Sequence, residues 1–188
     1  MCRHDFLIAY SCKCRGVRPS CNTRRMAETA AHLVDQAFAP LPARQWVLAV
    51  PKPRRTCLQS VAALQGTVLR IFLSVVERCL REHSPGNPAA ARIGAVAFIH
   101  RFGSSLNQHV HFHCCVIDGV FAPVAATDVA LEDAPSVSFH AALELDAAVF
   151  ADVQARVRTR VLRTFVRRGP IDKGDATEMC AWAHDGGL

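Results

Sequence analysis

Two hydrophobic periods run along this chain, one of three to four residues and one of two, and they predict its elements. Residues 26–38 predict a helix with Ala30, Leu33, Val34, Ala37 and Phe38 on one face, Thr23 as its cap, and Pro40 and Pro42 ending it. Residues 58–83 predict a long helix, because Val61, Leu64, Val68, Phe72, Val75, Val76, Cys79 and Leu80 recur at helical spacing. Ser84-Pro85-Gly86-Asn87-Pro88 stops it. Residues 144–168 predict another helix, striped by Leu145, Val149, Val153, Val157, Val161, Leu162, Phe165 and Val166, and ended by Gly169-Pro170. Strands are predicted at 46–50, at 93–102, at 110–117 and, shorter, at 137–139. Asp118-Gly119 between apolar runs predicts a two-residue hairpin turn leading into Val120-Phe121. Residues 123–136 read as loop, and there is no internal repeat. The order of elements predicts an α+β fold, a small and mainly antiparallel sheet with long helices on one face.

Composition narrows the class. A chain of 188 residues, 51% of them hydrophobic, fits one domain with a small appendage and excludes a disordered tail. No apolar run approaches the roughly 18 residues of a membrane span. Phe6 to Tyr10 is too short for a secretory segment. Nine cysteines, an odd number, point to a reducing cytosol rather than to a disulfide framework. Cys2, Cys12, Cys14 and Cys21 crowd the first residues and suggest a metal site or its remnant, whereas Cys79, Cys114 and Cys115 lie in apolar runs and read as packing residues. Net charge is +6, from 22 Lys and Arg against 16 Asp and Glu. The bases cluster at residues 1–25 and again at Arg156, Arg158, Arg160, Arg163, Arg167 and Arg168, a distribution that suits nucleic acid.

The strand at 110–117 is entered through His109-Val110-His111-Phe112-His113. In a strand, alternate residues share a face. The three imidazoles then point one way, toward a shared metal ion or a reacting group, while Val110, Phe112 and Cys114 point into the core. His100, on the preceding strand, faces the same site if the two strands pair.

Beyond these patterns, the run from Gly94 to Asn107 (Gly-Ala-Val-Ala-Phe-Ile-His-Arg-Phe-Gly-Ser-Ser-Leu-Asn), with His109-Val110-His111-Phe112-His113 and Asp118-Gly119-Val120-Phe121, resembles the rolling-circle insertion-sequence transposases of the insertion-sequence ninety-one family. These belong to the His-hydrophobic-His, or HUH, single-strand DNA nucleases. Arg24 to Ala30, Arg44 to Leu48 and Arg160 to Arg168 resemble the same family. The resemblance implies an HUH endonuclease-like, ferredoxin-like fold. It implies a divalent ion, Mg²⁺ or Mn²⁺, held by His111 and His113, with His109 or His100 as a third ligand or a phosphate guide. It implies a tyrosine nucleophile that forms a 5′-phosphotyrosyl link, and no nucleotide cofactor. It implies a bacterial cytoplasmic protein, no membrane, and single-stranded DNA at insertion-sequence ends as the partner. Arg24, Arg25, Lys52, Arg54, Arg55, Arg101, Asn107, Arg156, Arg160, Arg163 and Arg167 would contact that DNA.

The chain departs from the family in two places. Its one tyrosine is Tyr10, whereas the family places its nucleophile on a helix after the histidine strands. The expectation is a partial catalytic domain at residues 26–188, truncated before that helix and lacking the nucleophile. The family also carries an N-terminal zinc module, usually with two Cys-x-x-Cys knuckles. Here Arg18 stands where the second knuckle needs a cysteine, so Cys2, Cys12, Cys14 and Cys21, with His4, make a degenerate zinc segment at residues 1–25. Two other functions compete with the transposase. One is a zinc-dependent hydrolase built on the histidine strand with Asp118 as the acidic ligand. The other is a non-catalytic DNA-binding regulator.

Overall fold

Alternation of buried and more exposed residues along the strands at 43–49 and 108–117 sets the architecture. The computed structural model describes residues 19–50, 58, 62–103, 107–124 and 137–181. The chain divides into two compact units, Met1–Leu41 and Pro42–Leu188.

In the first unit, helix α1 spans Pro19–His32 and runs into a π-helical turn, Leu33–Ala37. The Phe38 N–H closes that turn on the Leu33 carbonyl at 2.8 Å. The helix starts seven residues before the predicted Met26. Thr23 therefore lies inside the helix and does not cap it. None of residues 22–41 is buried; Val34, on the expected apolar face, is 72% exposed.

The second unit holds β1 (Ala43–Ala49), α2 (Ala62–His83), β2 (Ala95–Phe102), β3 (Gln108–Ile117), β4 (Gly119–Pro123), β5 (Val137–Ala141), α3 (Ala147–Arg168) and α4 (Lys173–Ala181). The first three strands form an antiparallel sheet in the order β1-β3-β2, so β3 is inserted between the two strands that α2 connects. This split β-α-β arrangement is the ferredoxin-like element of the expectation. In register, Val47, His113 and Phe98 lie side by side across the sheet, as do Ala49, His111 and His100.

One face of this sheet is dry over β1 and β3, while the edge strand β2 has no buried residue. Trp46 and Leu48 of β1, with Val110, Phe112, Cys114 and Val116 of β3, share a continuous core with Val68, Phe72, Val75 and Val76 of α2 and Val153, Val157 and Phe165 of α3. The helices therefore pack on the even-numbered face of β3, as an α+β layer requires. Helix ends are held locally. The Val149 N–H donates to the Asp146 carboxylate at 2.9 Å, and Gly169 closes α3 in the left-handed region at φ 89°. The Asn87 side chain donates to the Arg81 carbonyl at 2.8 Å beyond the end of α2. Among the described residues no helix is long and apolar enough to cross a membrane.

The Asp118-Gly119 pair does not make the predicted hairpin. Both edges of β3 are already occupied, by β1 and β2, so β4 cannot fold back on it and pairs with β5 in a separate two-stranded sheet. Asp118 is instead a junction. Its N–H donates to the Pro42 carbonyl at 2.8 Å, its carbonyl accepts from the Ala142 N–H at 3.0 Å, and its carboxylate pairs with Arg44 at 3.2 Å. Among the described residues the glycines at positive φ are Gly86 and Gly169, and Gly119 is not one of them. It is required for close approach: a Cβ there would overlap the His140 carbonyl oxygen and lie 2.6 Å from the Phe139 ring. Gly119→Ala is therefore expected to destabilise the second unit by about 1–3 kcal/mol, measured by urea unfolding, because backbone as well as ring must move. A loss under about 0.5 kcal/mol would contradict this packing.

Helix α4 was not predicted. Only Ala176 and Met179 of its nine residues are buried, which is too few to set a period. Its start is nonetheless marked in the sequence, since the Asp175 N–H donates to the Asp172 carboxylate at 2.8 Å, a capping arrangement.

Candidate metal centre

The open face of the three-stranded sheet carries His109, His111, His113 and Cys115 of β3, flanked in register by Gln45, Val47 and Ala49 of β1 and by Val96, Phe98 and His100 of β2. The period-two reading of β3 holds here. Val110, Phe112 and Cys114 are buried, and the three histidines between them are half-buried. Cys115 departs from its expected packing role, because its odd number places it on the histidine face, half-buried. Buried Cys114 is a packing residue whose thiol burial pushes up to about 11.

Strand pairing brings His100 to the site. It sits directly across from His111, with ring centroids 5.0 Å apart, and 4.6 Å from the His113 ring. One ligand atom from each of His100, His111 and His113 falls within 4.8 Å of the others. His109 stacks on His111 at 4.7 Å between centroids but is outside this trio. Of the two candidates for a third ligand, His100 is the one whose ring atom falls within the cluster.

Hydrogen bonds settle which ring atoms are offered. His111 Nδ1 lies 2.9 Å from the carbonyl of His109. A carbonyl only accepts, so that nitrogen carries the proton and Nε2 presents a lone pair outward. His113 Nδ1 faces the side-chain amide nitrogen of Gln45 at 2.7 Å. Partial burial, and then the neighbouring His100 and His111, hold the His113 imidazole below the usual histidine range.

The donor set tests the expected ion. Three imidazoles fit a divalent transition ion and leave room for further ligands on the open side. Mg²⁺ prefers oxygen donors and is the poorest match, and within the first-row series Mn²⁺ is held most weakly. The acidic ligand that a hydrolase reading wanted is not in the cluster, since the Asp118 carboxylate pairs with Arg44.

The expected DNA-contacting bases are dispersed. Arg156 pairs with Glu82 at 3.2 Å and Asp152 at 2.7 Å, which stitches α3 to α2. Arg160 donates to the Ser74 hydroxyl at 3.1 Å, while Arg163 and Arg167 are exposed. All four are on α3, which packs on the sheet face opposite the histidines. Arg101 and Asn107 are exposed, the first near the end of β2 and the second just before β3. In the other unit Arg24 pairs with Glu28 at 2.7 Å and Arg25 is exposed. Lys52, Arg54 and Arg55 lie outside the described residues, as do Tyr10, His4, Cys2, Cys12 and Cys14; Cys21 falls within α1. Sequence reasoning missed Gln45, Val47 and Phe98. For Gln45 and Val47 the signal was alternation with buried Trp46 and Leu48; β2 has no buried residue, so only the register places Phe98 beside His113.

No curated protein and no solved structure matches the chain. Residues 94–185 match a family model described as "Putative transposase", which supports DNA transposition as the general role. That span runs from just before β2 to beyond α4 and contains all three clustered histidines. Over the segment that builds most of the candidate metal centre, this chain is similar to the transposase family.

Proposed function

We propose that the second unit is a transposase domain of the HUH type, and that the histidine face receives a phosphodiester of unpaired DNA. The convergence of three imidazoles from β2 and β3 on an open sheet face, inside the transposase-matching span, carries this reading. A divalent ion bound there supplies Lewis acidity to a phosphodiester oxygen. His111 contributes a lone pair fixed by its bond to the His109 carbonyl. His100 and, in the tautomer with its proton on Nδ1, His113 complete the donor set. Val47 and Phe98, 52% and 39% exposed beside them, supply an apolar border on which a base can stack. The reading covers binding and positioning of the strand. No described residue is a tyrosine, and the covalent step is assigned to none of them.

The test is fluorescence anisotropy of a labelled single-stranded oligonucleotide carrying a hairpin. Removing divalent ions with EDTA is expected to weaken binding about tenfold or more, and Mn²⁺ or Zn²⁺ to restore it. His111→Ala/His113→Ala is expected to bind weakly and to ignore added metal. Equal affinity with and without metal, in both proteins, would overturn the proposal in favour of a non-catalytic DNA-binding regulator.

The all-imidazole donor set also favours a second reading, a zinc-dependent hydrolase. Zinc-dependent ester hydrolysis in the absence of DNA, lost in the same double variant, would select it.

A further inference from the structure

Two of the three clustered histidines have their outer ring nitrogen engaged, and the two partners differ in kind. The partner of His111 is a backbone carbonyl, which accepts only and holds one tautomer permanently. The partner of His113 is the Gln45 side chain, which donates through nitrogen and accepts through oxygen. Gln45 is exposed and stands on β1 opposite Cys115, one step along the same face from Val47, which pairs with His113. It reaches His113 from the side away from β2, and so from the side away from His100.

In the arrangement present here the amide N–H donates to His113 Nδ1 at 2.7 Å. The neutral ring then carries its proton on Nε2, the other nitrogen and the one left to offer to the cluster. A protonated nitrogen has no lone pair for a metal. For His113 to ligate, the proton must move from Nε2 to Nδ1 through solvent, and the amide must turn so that its oxygen accepts from the new Nδ1–H. No proton is gained or lost and no bond beyond N–H changes.

We propose that Gln45 is a positioning residue that switches His113 between a closed and a ligand-ready tautomer by rotation of its amide, while His111 is set permanently by the His109 carbonyl. This rests on the metal-centre reading given above. Partners of this kind that orient a metal-binding histidine typically change metal affinity 10- to 100-fold.

Wild type, Gln45→Leu, Gln45→Glu and His111→Ala are titrated with Zn²⁺ by calorimetry, and the His113 ring is followed by ¹⁵N NMR in the metal-free and Zn²⁺-loaded proteins. Gln45→Leu, which neither donates nor accepts, is expected to bind Zn²⁺ about tenfold or more weakly than wild type with its thermal midpoint unchanged. Gln45→Glu accepts only. It is expected to place the proton on Nδ1 before metal is added and to bind at least as tightly as wild type. Wild type is expected to show the Nε2–H form without metal and the Nδ1–H form with it.

Gln45→Leu binding within twofold of wild type overturns the proposal, as does the same metal-free His113 tautomer in all the Gln45 forms. Tighter binding by Gln45→Glu with an unchanged tautomer assigns the effect to added charge and overturns it as well. If wild type and His111→Ala take up Zn²⁺ equally, the metal centre itself fails and the switch with it, an outcome distinct from a failure confined to the Gln45 variants.

Discussion

Phe112→Ala is expected to cost the second unit about 3–5 kcal/mol, the usual loss for deleting a buried aromatic ring. Phe112 is fully buried, at the centre of the middle strand, among residues of both long helices. Its ring faces the core because β3 alternates, and neighbours on β1 and α2 cannot collapse into the gap without disturbing the strand pairing. A domain of this size holds about 5–15 kcal/mol in total, so the variant sits near the limit of folding. The comparison is Phe98→Ala, one strand away. Phe98 is 39% exposed on the open face, and its removal is expected to cost about 1 kcal/mol or less. Urea unfolding of the two variants checks both values. Equal losses would contradict the difference in burial between the two rings.

His111→Ala is expected to lower Zn²⁺ affinity by at least ~100-fold while leaving the metal-free protein as stable as wild type within about 0.5 kcal/mol. The His111 ring centroid lies 5.0 Å from those of both His100 and His113. Losing His111 removes the one donor whose lone pair is fixed in advance. Two imidazoles remain, too few for a structural tetrahedral site and one short of the three protein ligands of a catalytic one. Stability is spared because the ring lies on the open face and leaves no internal cavity. Calorimetric titration and thermal unfolding of the same sample separate the two effects. A large loss of stability without metal would show that the histidine face is structural, and unchanged affinity would remove His111 from the ligand set.

Much of the site was legible because a strand has a simple rule. Alternation in β3 assigned Val110, Phe112 and Cys114 to the interior and the histidines to the other face, and the burial pattern agrees. The helical stripes on α2 and α3 were equally legible, since a long amphipathic pattern has few other ways to bury itself. Helix α4 was not, because two buried residues carry no period. The hairpin expectation failed for a different reason. An Asp-Gly turn is a local signal, and whether β4 can fold back on β3 depends on which strands have already occupied its edges. The basic helix was a further case. Spacing shows that Arg156 and Arg160 lie on α3, but not that Glu82, Asp152 and Ser74 await them there.

The sequence by itself determined the α+β class, the two long helices of the second unit and the inward and outward faces of the histidine strand, because each follows from periodicity within one segment. Only the tertiary structure decided which strands are neighbours. That register brought His100 beside His111, chose it over His109 as third member of the cluster, and set Gln45 against His113. Contacts between residues 11 to 68 positions apart arise from strand pairing and shared burial, and no local pattern in the chain specifies them.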